Sequence, residues 1–153
     1  MIRTLHEEPA PASAQTAGET AVAEATGEGL YQVRVRTGGH SFLMDEPIDY
    51  GGLATGPNPF DLLRAALGAC TLMTMKLYAQ RKGWTLDRLR VHVTHSKGSA
   101  GARDRFDRVI ELGDVTEEQR EGLLRIAQRC PVHLLLDRGA DVTVSLADAA
   151  VAA

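Results

Sequence analysis

Hydrophobic and polar positions mark out the elements of this 153-residue chain one after another. Tyr31, Val33 and Val35 alternate with Gln32, Arg34 and Arg36, the period-two pattern of a half-buried strand. Gly38-Gly39 signals a hairpin, and His40 to Asp45 gives the return strand, with Phe42 and Met44 on one face. From Glu46 to Asn58 the chain carries Pro47, Gly51, Gly52, Gly56 and Pro57, a loop long enough to be functional. Asn58 suits an N-cap and Pro59 a first helical position. Leu62, Leu63, Ala65, Ala66, Leu67, Ala69, Cys70, Leu72, Met73, Leu77 and Tyr78 then predict a helix over 59–81, apolar on most sides and ended by Gly83.

The second half continues with Leu89, Val91 and Val93 alternating with Arg90, His92 and Thr94 in one strand. Arg105 to Leu112 makes another, after a Gly- and Ala-rich loop from Ser96 to Arg103. Thr116-Glu117-Glu118-Gln119 is a capping box opening a helix, with Leu123, Leu124, Ile126 and Ala127 inward and Pro131 as its stop. Val142, Val144 and Leu146 predict a last strand. The order ββ(loop)αββαβ reads as an α+β two-layer sandwich, ferredoxin-like in outline. Residues 1–28, rich in Ala, Thr, Glu and Pro without an apolar period, read as a mobile tail, leaving 29–153 as one domain.

Composition narrows the function. The net charge is −3, so no basic field points to nucleic acid or an anionic membrane. No apolar run reaches the ~18–20 residues that span a bilayer, and the polar start lacks a signal-peptide core. Two cysteines are too few for a secreted disulfide scaffold, so the cytoplasm is the expected location. There a cysteine is a small core hydrophobe, a metal ligand or a reactive thiol.

Cys70 falls midway along the buried helix among Ala66, Gly68, Ala69 and Thr71, small residues that leave room above its sulfur. The bland alternative is a cysteine packed in the core. Cys130 falls at the end of the second helix, where the negative helix terminus does not acidify a thiol, so an accepting role suits it better than attack. Cys130-Pro131-Val132-His133 is only half of a zinc motif, and His40, His92 and His95 supply no paired second half, so neither metal nor cofactor is expected.

The runs Asp45-Glu46-Pro47, Gly51-Gly52, Gly56-Pro57-Asn58-Pro59 and Asp61-Leu62-Leu63 lead into Ala65-Ala66-Leu67-Gly68-Ala69-Cys70-Thr71. With Arg81-Lys82-Gly83-Trp84 and Arg129-Cys130-Pro131-Val132-His133, this combination resembles the OsmC/Ohr family over roughly residues 31–146. The resemblance implies an OsmC-like α+β fold in place of the ferredoxin-like outline. It also implies an intertwined homodimer with the long helices at the interface. It implies a peroxiredoxin-like, thiol-dependent peroxidase acting on organic hydroperoxides or hydrogen peroxide. In that scheme Cys70 attacks the O–O bond and becomes a sulfenic acid, Cys130 closes a disulfide with it, and a cellular dithiol, lipoyl-bearing in some members, reduces the bond. The best-known branch has an Arg after a Gly-Gly turn and a Glu ten residues before the helix cysteine. The matching positions here are His40 and Phe60, with Asp61 beside the latter. His40 and Asp61 are therefore the candidate polar helpers. Both departures also admit a second reading, a non-catalytic module that binds a small apolar or thiol ligand at the dimer interface.

Overall fold

A computed structural model describes residues 20–147, which form a mixed α+β chain with two small sheets and three α-helices among the described residues. The chain divides into a unit ending at Pro59 and a unit beginning at Phe60.

In the first unit, β1 (Ala21–Ala25), β2 (Val33–Thr37) and β3 (His40–Met44) make an antiparallel sheet in that order. Thr37 pairs with His40 across the turn, and Gly38 and Gly39 both take positive φ (55° and 77°), which a two-residue hairpin of the favoured twist requires. Strand β1 lies inside the stretch read from sequence as tail. All five of its residues are exposed, so it carries no burial pattern to read. Its ladder to β2 and the Glu24–Arg36 ion pair hold it. Residues 1–19 of the expected tail lie outside the described residues.

The loop after β3 is organised by Asp45, whose side chain accepts from the backbone N–H of Glu46, Leu53 and Thr55 and from the Thr55 hydroxyl. The grips on Leu53 and Thr55 bracket Ala54, which sits in the left-handed region at φ 53°. Two glycines of this loop are there for space: a Cβ on Gly52 would stand 1.8 Å from the Glu46 carbonyl oxygen, and one on Gly56 2.1 Å from that of Leu43.

In the second unit, α1 (Pro59–Lys82) runs one residue beyond the expected end. It closes at Gly83 (φ 68°), where Trp84 N–H reaches back to the Ala79 carbonyl. Its buried stripe is Leu67, Thr71, Met75 and Ala79, one residue every four. The hairpin of β4 (Leu89–Ser96) and β5 (Arg105–Leu112) pairs Leu89 with Leu112, Val91 with Ile110, Val93 with Arg108 and His95 with Phe106, so these eight share one face. Gly68 lets α1 lie close to β4: a Cβ there would meet Val93 Cγ2 at 3.2 Å.

Helix α2 (Glu117–Ala127) opens with the expected box, Thr116 and Gln119 capping one another. Leu123 and Ala127 join Met75 and Ala79 in the core, against Tyr78, Trp84, Leu89, Ile110 and Leu112. Burying side chains the size of Leu123 and Met75 stabilises by ~1.5–3 kcal/mol each.

Three expectations fail. Pro131 does not end the helical structure. Helix α2 stops at Ala127 with Gln128 as its C-cap, and Pro131 opens a further helix, α3 (Pro131–Arg138). A proline has no N–H to contribute, which makes it a stop for one helix and an apt first residue for the next. The strand expected at Val142–Leu146 is absent: residues 139–147 have no regular structure and Val144 is 98% exposed. The ferredoxin-like outline also fails, since β1–β3 and β4–β5 are separate sheets rather than one.

Candidate functional site at Cys70 and Cys130

Helix α1 carries Cys70 halfway along its length, and the α2–α3 turn carries Cys130 to it. Cys130 is the N-cap of α3, with extended backbone (φ −56°, ψ 128°) and a carbonyl that accepts the first helical bond from Leu134. Its sulfur faces the backbone N–H groups of Val132 and His133 without closing a strict cap bond. The sequence reading put Cys130 at the negative end of a helix; the structure puts it at the positive end of the next one.

The two thiols lie close enough to shift one another in opposite directions. Burial pushes the Cys70 thiol up, and its bond to Cys130 pushes it further by keeping the proton on Cys70. Burial raises Cys130 as well, but the hydrogen donated by Cys70, the His133 N–H, the Thr71 hydroxyl and the Val132 N–H outweigh it and bring the thiol below its ordinary value. Both cysteines are free thiols; Cys70 is partly exposed and Cys130 is 0% exposed. Of the two, the partly exposed Cys70 is the weaker acid and the enclosed Cys130 the stronger.

Arg108 bonds to the neighbours of this pair. On the inner face of the hairpin it stands in line with Phe106, Ile110 and Leu112. It donates to Thr71 Oγ1 (2.9 Å), to the Ala127 carbonyl (2.9 Å) and to His133 Nδ1 (2.9 Å). One guanidinium thus ties α1, the end of α2 and the first turn of α3. The sequence reading missed Arg108 and Thr71, although a lone cation in an otherwise apolar strand register is a legible signal.

Beside Arg108 opens a cavity of about 350 Å³ lined by Leu67, Phe106 and Leu136 with Arg103, Arg108 and His133 among its polar groups. Arg103 donates to the carbonyls of Leu136 and Asp137 and so closes the end of α3. Nearby, His95 is stacked between Phe60 (4.9 Å) and Phe106 (4.7 Å) and bonded to Asp104 at 2.8 Å. Phe60, at the position where the resemblance expects Glu, thus serves packing around His95.

The other candidates are placed as follows. Asp61 lies in the first turn of α1 and pairs with Arg64. The nine residues to Cys70 amount to about 13 Å along the helix axis. His40 is exposed at the start of β3, in the first unit. His133 gives its Nδ1 to Arg108. Among the described residues no three His, Cys, Asp or Glu side chains gather as a metal-binding group, and no helix is long and apolar enough to cross a membrane.

A comparison with curated protein sequences gives no match. Solved structures do match in fold. The OsmC like protein of Mycoplasma pneumoniae aligns with a TM-score of 0.62 and 22% identity, over 80% of this chain and 89% of that one. The organic hydroperoxide resistance protein OsmC of Legionella pneumophila aligns at 0.57 and 17%, over 79% and 90%. The organic hydroperoxide resistance protein OhrB of Bacillus subtilis aligns at 0.55 and 19%, over 76% and 87%. At these identities the likeness is one of fold. The OsmC-like family profile matches residues 51–145, well over half of the sequence, and the chain belongs to the OsmC-like protein family.

Proposed function

We propose that this protein is a thiol-dependent peroxidase that reduces organic hydroperoxides or hydrogen peroxide through Cys70 and Cys130. The observation that carries this reading is the meeting of two free thiols, a partly exposed Cys70 on α1 and an enclosed Cys130 at the head of α3, near enough for each to shift the acidity of the other. That arrangement suits a two-step reaction. As the Cys70 sulfur bonds to the terminal oxygen of the peroxide, the O–O bond breaks. The Cys70 proton passes by way of Cys130 to the departing alkoxide, which leaves as the alcohol. Cys70 is then a sulfenic acid and Cys130 a thiolate. The Cys130 thiolate displaces hydroxide from the Cys70 sulfur and closes a disulfide. A cellular dithiol, lipoyl-bearing or free, reduces that bond and is itself oxidised to a disulfide. The cycle suits the reducing cytoplasm.

His40 and Asp61 enter as polar helpers by family resemblance. Asp61 already has a cationic neighbour in Arg64. Replacing each should slow peroxide consumption if it helps and leave it unchanged if it does not.

The active form in this reading is a homodimer. Leu63, Ala66, Cys70, Met73 and Leu77 follow one another at alternating three- and four-residue steps on α1, opposite its buried stripe. Met73 is 66% exposed and Leu77 48%. An apolar seam with the reactive thiol at its centre suits a second copy as its cover.

Peroxide consumption with a panel of dithiols, run on wild type and Cys70→Ser, tests the proposal. Turnover with at least one dithiol, lost in Cys70→Ser, is expected. No turnover with any peroxide overturns it and favours the non-catalytic binding module.

A further inference from the structure

We propose that Arg108 is the positioning residue of the thiol pair, acting through the Thr71 hydroxyl and the His133 ring. This rests on the peroxidase reading for its purpose, though not for its physics.

A threonine hydroxyl both donates and accepts. Arg108 Nη1 has only hydrogens to offer, so its 2.9 Å contact makes Thr71 Oγ1 the acceptor there. The single hydroxyl hydrogen is then left to point outward, where the Leu67 carbonyl (2.7 Å) and the Cys130 sulfur compete for it. While Cys130 is a thiol, the carbonyl takes it. As Cys130 gains negative charge, the hydroxyl becomes a ready donor to the sulfur, polarised from behind by a guanidinium that stays charged at any working pH.

Arg108 fixes His133 in the same way. Arg108 Nη2 can only donate, so His133 Nδ1 (2.9 Å) accepts and carries no hydrogen. The ring is then the neutral Nε2–H tautomer, with that N–H free to serve the cavity that His133 lines. The third bond, to the Ala127 carbonyl, anchors the end of α2 just before Cys130. One cation thereby sets the placement of Cys130 by Cys70, the direction of the hydroxyl beside Cys130 and the tautomer of His133.

The test has two parts, neither of which needs peroxide turnover. Nitrogen NMR of the full-length wild-type protein should find His133 as the Nε2–H tautomer; an Nδ1–H ring overturns the proposal. In a Cys70→Ser background Cys130 is the one thiol, and its thiolate can be followed by ultraviolet absorbance against pH. Arg108→Met and Thr71→Val should each cut the thiolate fraction at pH 7 at least fivefold, and the double variant should lose little more than either. An unchanged thiolate fraction, or effects that multiply independently, overturns the proposal. Wild type that consumes no peroxide but passes both parts would reject the peroxidase reading and leave Arg108's role standing.

Discussion

Cys130 holds the Cys70 thiol above its ordinary value, and Cys70 helps bring the Cys130 thiol below its own. The direction of this coupling gives an unusual expectation. Removing Cys130 takes away the acceptor that holds the proton on Cys70. The pH midpoint for alkylation of Cys70 should therefore fall in Cys130→Ala. Removing Cys70 deprives Cys130 of a donor, and its midpoint should rise in Cys70→Ala. Rates of labelling against pH, read by mass spectrometry for each variant, check both signs.

Asp45 is 3% exposed and held by four hydrogen bonds from its own loop. Burial alone would raise its carboxyl, but the Thr55 hydroxyl and the N–H groups of Glu46, Thr55 and Leu53 bring it below the ordinary value. The folded value lies below the unfolded one. The carboxylate therefore contributes its full stability above the unfolded value of ~3.9 and loses it as pH falls through the folded one. Thermal unfolding should show Asp45→Asn losing most of its deficit against wild type as the pH drops below ~4.

The glycines of the same loop should be intolerant for a different reason. Gly52→Ala and Gly56→Ala would each drive a methyl into a backbone carbonyl, where no side chain can move aside. Both variants should unfold at lower denaturant than wild type, whereas Gly27→Ala, with open space around it but positive φ, should lose only about 1 kcal/mol.

The core makes a simpler expectation. Leu123 is fully buried between α1, α2 and the β4–β5 hairpin. Leu123→Ala should cost ~2–5 kcal/mol, measured by denaturant unfolding.

Much of the fold was legible because its signals are local. The Gly38-Gly39 turn, the Thr116–Gln119 box and the Gly83 stop each depend on a few neighbouring residues, and each element stands where they put it. What was not legible depends on partners. Val142, Val144 and Leu146 alternate as a strand should, yet alternation cannot say whether another strand is there to pair with. Strand β1 is the converse, a ladder without a buried face. At the site, the cysteines were found by type and by resemblance. The reading of Pro131 as a stop then hid α3 and inverted the electrostatic setting of Cys130. Arg108 was overlooked because its meaning lies in three residues 19 to 37 positions away.

In the proposed cycle Cys70 and Cys130 form one redox pair in which Cys70 attacks the peroxide first. The most direct measurement is mass spectrometry after substoichiometric organic hydroperoxide. Wild type should give an intramolecular Cys70–Cys130 disulfide. Cys130→Ser should stop at a sulfenic acid on Cys70 that dimedone traps, and should over-oxidise with excess peroxide. A dimedone adduct on Cys130 with Cys70 inert, or two thiols no faster than free cysteine, would contradict the account.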